Sequence, residues 1–326
     1  MFRMHSICLA LWRATGLLAL CLTTGLPAQA HAQIDTLKVM IGANPGGGFD
    51  QTGRGIAAAM QSAGTIRNAT FENKGGAGGA IGLAHFVNTE KGNPNAMVVT
   101  GAVMVGGIEM SRSPVSLRNA TPIARLFADT MILVVPAQSK IQSVADLITQ
   151  LKANPGSVSW GGGSRGSIDH ILTGLIAKEA GIEPARINYI PFAGGGEATA
   201  AILGNQVTVG LAGVSEFLPF VKDGKMRALA VSSSFPVQGI RPLKEQGLNV
   251  EIYNWRGVYG APGITNEQQK TLIDAVVKAT QTTQWKETLA RNEWAPFLQT
   301  GPEFGTFVES ESKRLGAILR ELGLAK

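Results

Sequence analysis

Short apolar runs alternate with amphipathic stretches along the first third of the chain. LKVMIG (Leu37 to Gly42), NATFEN (Asn68 to Asn73) and AMVVTG (Ala96 to Gly101) each predict a strand. Helices are predicted between them, the first from about Asp50 to Ser62. Strands separated by helices are typical of α/β layers built around mainly parallel sheets.

The same pattern starts again near residue 130. MILVVP (Met131 to Pro136) predicts a strand, and SVADLITQLKAN predicts a helix with Ser143 as its cap and Asp146 at the capping-box position. VSWGGGSRGS, INYIPFAGGGE and VTVGLAGVSE each predict a strand, a glycine turn and a helix. The restart predicts a second α/β domain.

We expect the chain to enter this second domain near Asp129 and to leave it near Asn254. The rest, from TNEQQKTLIDAVVKAT (Thr265 to Thr280) onward, is predicted to be helical and to pack on the first domain. Two crossings between the domains would form a hinge and a cleft.

Four strand-to-helix turns hold much of the glycine: PGGGFD, KGGAGGA, WGGGSRGS and FAGGGEA. Glycine lets the backbone approach a ligand closely, and the start of a helix presents unpaired N–H groups and a positive dipole end. Ligands of open α/β sheets bind beyond the carboxyl ends of the strands. Four such turns in equivalent positions therefore favour an anion site over ordinary tight turns.

Residues 1–32 have the pattern of a signal peptide. Arg3 and Arg13 flank the start, LLALCLTTGL is an apolar run too short to span a bilayer, and PAQA and AHA supply small-residue cleavage sites. We expect cleavage after Ala30 or Ala32 and export to the bacterial periplasm, with an uncleaved anchor as the alternative.

The composition of the mature chain limits the kinds of partner that it is expected to bind. Cys8 and Cys21 both lie in the signal segment, so the mature chain needs no disulfide. Without Arg3 and Arg13, 27 of the 29 basic residues remain against 23 acidic ones. This mild excess suits anionic small molecules, and the basic runs of a nucleic-acid site are missing, so we predict no nucleic-acid partner. No later apolar run is long enough to span a membrane, and we expect a soluble protein.

WGGGSRG also fits two enzyme signatures. Gly161, Gly163 and Gly166 match the dinucleotide pattern G-x-G-x-x-G. Glu183 has the spacing of a ribose-binding acid, but it precedes the next strand instead of ending it. The sequence therefore argues against a dinucleotide site.

Gly162, Ser164 and Gly166 match the nucleophile elbow G-x-S-x-G. That site needs a histidine after its acid, and the only later histidine is His170, six residues on. Because the required order fails, we predict that the protein is not an enzyme and has no catalytic residue.

The mature histidines are His31, His85 and His170, and none is spaced as a metal-ligand pair. We expect His85 to be a hydrogen-bonded histidine on a helix face. No metal and no cofactor is predicted.

Three polar residues near the glycine turns have a structural and a binding interpretation. Asp50 suits a helix cap, and Arg54, one turn later, suits an ion pair with it. Ser167 suits a cap for the helix that contains His170 as well as a ligand contact.

With these turns placed, the chain closely resembles the periplasmic substrate-binding proteins of tripartite tricarboxylate transporters, the Bug family, and most closely the tricarboxylate-binding TctC-like branch. The segments that carry the resemblance span essentially the whole mature chain: NPGGGFDQTGR, ENKGGAGGAIGLAHF, TPIARL, WGGGSRGSIDHILTGLIAKEAG, NYIPFAGGGEATAAILG, VSEF, GKMRALAVSS and NWRGVYGAPGI. One departure is NPNAMVVT, where the family often has an Asp-Gly-Tyr-Thr-like turn.

The resemblance implies a two-lobed, type II periplasmic-binding-protein fold of the α/β class with a hinged ligand cleft. Lobe 1 would hold residues 33–129 and 254–326, and lobe 2 would hold residues 130–253. It also implies a receptor, expected to be a monomer, that binds a small carboxylate and delivers it to a permease of two integral-membrane subunits. Citrate or another tricarboxylate is the favoured ligand.

Similar proteins hold a ligand carboxylate through backbone amides of two glycine loops and bridging waters. Carried over by match, the implied ligand contacts are Pro45, Gly46, Gly47, Gly48, Phe49, Asp50, Gly163, Ser164, Arg165, Gly166, Ser167, Phe192, Ala193, Gly194, Gly195, Gly196 and Ser215. Phe49 would cover the apolar part of the ligand. Arg165 would either meet a second carboxylate or face solvent.

One alternative is a sensor that presents its ligand-bound form to a histidine-kinase ectodomain. Both functions use the same cleft, so the sequence leaves them both open.

Overall fold

The computed structural model describes residues 33–325. The strands are β1 Ile34–Ile41, β2 Ile66–Asn73, β3 Ala96–Gly101, β4 Thr121–Pro136, β5 Ser159–Gly162, β6 Asn188–Pro191, β7 Val209–Gly213, β8 Met226–Val231, β9 Tyr253–Gly260 and β10 Ala295–Thr300. The helices are α1 Gly48–Ser62, α2 Ala80–Thr89, α3 Ala102–Ser111, α4 Val144–Ala153, α5 Ile168–Glu179, α6 Gly195–Leu203, α7 Val214–Lys222, α8 Asn266–Thr280, α9 Thr283–Arg291 and α10 Gly301–Glu321.

Strand β4 is shared by two sheets. From Thr121 to Thr130 it pairs with β9, and from Met131 to Pro136 it pairs with β7 and β8. The first sheet runs β2-β1-β3-β9-β4, and the second continues from β4 through β7 and β5 to β6. The chain returns to the first sheet at β9. Two strands, β4 and β9, therefore lie at the junction of the sheets.

The predicted α/β class is confirmed, with one correction to the strand directions. β1 is parallel to β2 and β3, and β5 is parallel to β6 and β7. Both strands at the junction run antiparallel to their neighbours. Each sheet therefore contains both parallel and antiparallel pairs. The antiparallel pairs lie at the junction, where the connection does not need the crossover helix that a parallel pair requires.

Two local predictions were wrong. MILVVP does not begin a new strand, since it is the second half of the 16-residue β4. Asp129 and Thr130 interrupt the apolar pattern there, yet both are buried in the continuous strand. The C-terminal tail is not wholly helical either, because β10 pairs antiparallel with the first half of β4.

Other predicted elements differ from the structure only at their ends. Strand β3 has the predicted bounds, and α1 begins two residues earlier than predicted, at Gly48. Ser143 caps α4 as predicted, since its Oγ accepts the Asp146 N–H at 3.1 Å. The lobe boundaries near residues 129 and 254 stay a prediction.

Apolar side chains fill the space between these layers. Phe127 of β4 stacks on Trp294 at 3.9 Å between ring centroids, and Trp285 packs beside it. A separate cluster forms around Ile132, Ile202 and Phe217, where α6 and α7 cover the second sheet. Burial of these side chains holds the strand ends in place, and the strand ends position the turns described below.

The predicted signal peptide lies outside the described residues. Within 33–325, no helix combines the length and the apolarity needed to cross a bilayer. The same residues contain no group of three or more histidine, cysteine, aspartate or glutamate side chains arranged to hold a metal ion.

Candidate functional site

All four glycine turns border one cavity of about 420 Å³. Gly47 to Phe49 and Gly76 to Gly79 reach it from the first sheet. Gly163 to Arg165 and Phe192 to Gly195 reach it from the second. Pockets of this size hold small organic ligands. The turn after β2, KGGAGGA, was not among the implied ligand contacts, although it contributes four residues to the wall.

The turns of the two sheets touch each other across this cavity. A methyl group at Gly47 would lie only 2.8 Å from the Gly195 nitrogen. On the other side, a methyl group at Gly106 in α3 would overlap the Gly166 carbonyl oxygen. Glycine is thus required at these positions mainly because the backbones meet. Conformational freedom is not the reason at Gly47, since its extended φ of −96° is open to any residue.

Two helices begin at the cavity with no side chain capping them. The N-cap residues are Gly47 for α1 and Gly194 for α6, and neither provides a side-chain acceptor. The Gly48 N–H donates to the Glu216 carboxyl, but no side chain caps the other N–H groups in the first turns of the two helices, where the helix dipole favours an anion. In contrast, Ser167 caps α5 and satisfies one of its amides.

Ser164 adds a polar group to the same wall. Its Oγ is buried and has no hydrogen-bond partner in the described part of the chain. Buried hydroxyls are normally hydrogen-bonded, so an unpaired one in a cavity wall points to a ligand. Arg165, next to it, is exposed and also lines the cavity.

Asp50 is engaged within its own helix start. Its carboxylate accepts hydrogen bonds from Arg54 Nε and Asn73 Nδ2 at 3.0 Å and from the Gly46 N–H at 3.2 Å. Burial raises its pKa, but the hydrogen bonds from Arg54, Asn73 and Gly46 outweigh it and hold the pKa below the usual value. Asp50 does not line the cavity, and the predicted ion pair with Arg54 is confirmed. The predicted helix cap is wrong, because the N-cap residue is Gly47 and Asp50 lies within the first turn of α1.

Ser167 and His170 form a hydrogen-bonded start for α5. Ser167 Oγ donates to Asp169 Oδ2 at 2.8 Å and accepts the His170 N–H at 3.4 Å. Burial, helped by the charge of Arg165, lowers the pKa of His170 to about 4. His170 is therefore neutral at physiological pH, and its Nδ1 accepts the Gly166 N–H at 3.1 Å.

His85 is hydrogen-bonded, as expected. Its ring nitrogens lie 3.1 Å from Lys74 Nζ and 3.1 Å from Glu72 Oε1, away from the cavity.

A charged cluster that sequence reasoning missed lies at the junction of the two sheets, beside the cavity. Arg256 of β9 is buried, donates to Asn254 Oδ1 at 2.7 Å and lies 4.7 Å above the Phe49 ring. Its guanidinium interacts electrostatically with three carboxyl groups, those of Asp129 in β4, Asp169 in α5 and Glu216 in α7. Arg256, Asp169 and Glu216 line the cavity.

Glu216 occupies space that several glycines leave open. A methyl group at Gly195 would overlap Glu216 Oε2, and one at Gly48 would lie 3.2 Å from Oε1. Burial raises the pKa of Glu216 to about 7, and Asp169 adds to this. Arg256 and backbone hydrogen bonds from Gly213 and Gly48 oppose the shift.

One sequence signal could have revealed this cluster. Asp129 and Arg256 are lone charges inside otherwise apolar strands, in LFADTMILVV and YNWRGVYG. A charge inside a buried strand is costly unless it is paired or functional. The VSEF segment was identified from the sequence, but the residue chosen there was Ser215 and not Glu216. The Oγ of Ser215 is buried without a hydrogen-bond partner among residues 33–325, and Ser215 does not line the cavity.

The structure brings ten of the predicted contacts into the cavity wall: Gly47, Gly48, Phe49, Gly163, Ser164, Arg165, Phe192, Ala193, Gly194 and Gly195. The other seven lie outside it: Pro45, Gly46, Asp50, Gly166, Ser167, Gly196 and Ser215. Contact with a ligand stays a prediction for all of them.

Comparison with known proteins places this geometry in context. Residues 56–324 match the family described as "Tripartite tricarboxylate transporter family receptor". Protein BugT of Bordetella pertussis is 28% identical over 92% of this chain and 94% of its own length.

Two solved structures share the fold. The R. palustris protein Rpa4515, determined with adipate, has a TM-score of 0.80 at 21% identity, over 90% of this chain and 98% of its own. MatC of Rhodopseudomonas palustris, with bound malate, has a TM-score of 0.77 at 20% identity, over 88% and 99%. These likenesses confirm the two-lobed binding-protein fold.

The environment of Glu216 predicts a pH-dependent stability difference for Glu216→Gln. Between pH 4.5 and 7 the unfolded chain has lost the Glu216 proton while the folded chain keeps it, so the wild type loses stability as the pH rises. The glutamine variant lacks this loss. The unfolding free energy of the variant should therefore rise relative to that of the wild type across this window, by roughly 3 kcal/mol in total, and the difference should then level off.

Urea denaturation of both proteins at intervals from pH 4.5 to 8.5 measures the difference. A difference that stays constant with pH would show that Glu216 titrates like a solvated carboxylate, and a difference that falls across the window would show that the fold stabilises its ionised form. Either result would contradict the prediction.

Proposed function

Because the chain belongs to the tripartite tricarboxylate transporter receptor family, we propose that it captures a small carboxylate in the described cavity and delivers it to two integral-membrane permease subunits. Members of this family are periplasmic solute-binding proteins and not enzymes. We further propose that the mature chain works in the periplasm as a monomer, after removal of the segment that ends at Ala30 or Ala32.

One observation carries the proposal: two uncapped helix starts and an unpaired buried hydroxyl border the same cavity. The amides at the starts of α1 and α6 and the Oγ of Ser164 supply neutral donors to a carboxylate. Hydrogen bonds to an ionised acceptor are strong. Neutral donors also leave no unpaired buried cation when the ligand departs, which suits a protein that must release its cargo.

Two observations support the proposed substrate class. Proteins of this fold have been solved with malate and with adipate, and the resemblance in sequence favours citrate or another tricarboxylate. Arg165, exposed at the cavity wall, would meet a second carboxylate. The apolar ring of Phe49 lines the same cavity and would contact the carbon chain of the ligand.

Thermal unfolding of the chain from Gln33 onward, with malate, adipate and citrate in turn, tests this function. A ligand at about 100 times its dissociation constant should stabilise the fold by roughly 2.7 kcal/mol, seen as a higher Tm. The protein should first be unfolded, dialysed and refolded to remove any ligand acquired during expression. If none of these acids, and no amino acid or aromatic carboxylate added to the panel, raises the Tm, the proposal is wrong.

Ser164→Ala should weaken binding of the stabilising acid about 10- to 150-fold, since one hydrogen bond to a charged group is worth about 1.5–3 kcal/mol. The free protein should unfold at the same or a slightly higher temperature, because the hydroxyl that is removed has no partner. Titration calorimetry gives the affinity and a melting curve gives the stability. An unchanged affinity would remove Ser164 from the site.

Gly47→Val should abolish binding for a steric reason. The first side-chain carbon alone would lie 2.8 Å from the Gly195 nitrogen, so the two turns would be forced apart. Gly156→Ala is the matched control, because its added methyl group would have only the Asn154 side chain within 4 Å, at 3.6 Å. Normal binding in Gly47→Val would contradict the role given to the glycine turns.

A further inference from the structure

The charged cluster beside the cavity carries an excess of negative charge. Asp129, Asp169 and Glu216 surround the single guanidinium of Arg256. With all three carboxyls ionised, two negative charges would stay uncompensated in a largely buried region. A ligand that brings further carboxylates into this space would raise that excess, and uncompensated buried charge is costly.

Glu216 is the member of the cluster best placed to relieve the excess. Asp129 does not line the cavity, and burial raises its pKa well above the usual value, so its protonation removes one negative charge before any ligand arrives. Asp169 does line the cavity, and burial raises its pKa too. Ser167 Oγ and the Gly163 N–H both donate to Asp169 Oδ2, at 2.8 and 3.3 Å, which favours its ionised form and opposes that shift. The Glu216 carboxyl lies in the space between the starts of α1 and α6, where the ligand carboxylate is expected.

We propose that Glu216 is a ligand-binding residue that acts in its protonated form. As the carboxylate enters, Glu216 takes one proton from the solvent, and its O–H donates a hydrogen bond to a ligand oxygen. No other bond is made or broken. This inference rests on the proposed function and adds to it a binding residue and a linkage: the receptor takes up one proton with each carboxylate.

The groups that face Glu216 agree with this role. The N–H groups of Gly48 in α1 and Gly213 in β7 donate to its carboxyl. Arg256 from β9 attracts its charged form, while Asp169 from α5 and Asp129 from β4 repel it.

Helix α6 faces Glu216 with the backbone of Gly195. Its one acidic side chain, Glu197, is engaged elsewhere, with Asn44 Nδ2 at 2.5 Å and the Ala193 N–H at 3.1 Å. The nearest side of α6 therefore offers no cation that would keep Glu216 ionised when a ligand arrives.

The linkage has a defined size. With the pKa of Glu216 at about 7 in the empty protein, about three quarters of the molecules are protonated at pH 6.5 and about 3% at pH 8.5. If only the protonated form binds, the affinity should be about 25-fold tighter at pH 6.5 than at pH 8.5. Malate and adipate are almost wholly ionised over this range, so their own titration contributes little.

The test is titration calorimetry of the refolded chain with malate and with adipate, at several pH values from 6.5 to 8.5. At pH 8, repeating each titration in phosphate and in Tris, whose ionisation enthalpies differ widely, counts the protons taken up. We expect close to one proton per ligand and the roughly 25-fold change in affinity. Glu216→Gln should bind with no proton uptake and little pH dependence. Glu245→Gln, a change at an exposed partner of Arg241, should behave as the wild type.

Two results would overturn the inference alone. One is tight binding of malate or adipate without proton uptake in the wild type, which would show that Glu216 stays ionised in the complex. Another is full proton uptake in Glu216→Gln, which would assign the proton to another group. If the variant fails to fold, the proton count of the wild type still decides. A chain that binds neither acid at any pH, nor any acid of the wider panel, would instead fail the proposed function itself, and the inference with it.

Discussion

The cavity depends on close contact between backbone segments that follow the strands of the two sheets. The turns after β1 and β6 approach so closely that the Gly47 and Gly195 backbones are in contact, and on the opposite side helix α3 at Gly106 meets the turn at Gly166 in the same way. No side chain fits at these points. Glycine there leaves the starts of α1 and α6 uncapped, and the same absence of side chains opens the space that Glu216 and a ligand share.

The two strands at the junction of the sheets hold two charges of the cluster beside the cavity. Asp129 and Arg256 are held by β4 and β9 at the point where the chain passes from one sheet to the other. A movement of the lobes about these strands would change the surroundings of the cluster directly. In the proposed binding mode, ligand charge and protonation are linked through these few buried groups, since each charge that enters would have to be compensated within the same small volume.

Much of this architecture was predictable because it follows from local patterns. The alternation of strands and helices, the bounds of β3 and the cap at Ser143 depend on residues close together in sequence. The four glycine turns were predicted as an anion site, and all four border the cavity. The length of β4 was missed because Asp129 looks like a break until its burial beside Arg256 is known. Strand β10 was missed because its six residues stand between helices and pair only with distant β4.

The site was less predictable than the fold for the same reason. Ser164 was identified from its turn, but nothing near Glu216 in sequence shows that Gly48 and Arg256 lie beside it. Such environments arise from contacts between distant segments, and the pKa of a carboxyl depends on them. Lone charges in apolar strands are the one sequence feature that pointed there.

A crystal structure of the complex with the acid that most stabilises the protein tests the central claim most directly. The account predicts a ligand carboxylate within hydrogen-bond distance of Ser164 Oγ or of the amides at the starts of α1 and α6, with a second ligand oxygen beside Glu216. A ligand bound elsewhere, or a complex in which the turns of the two sheets no longer touch, would contradict it.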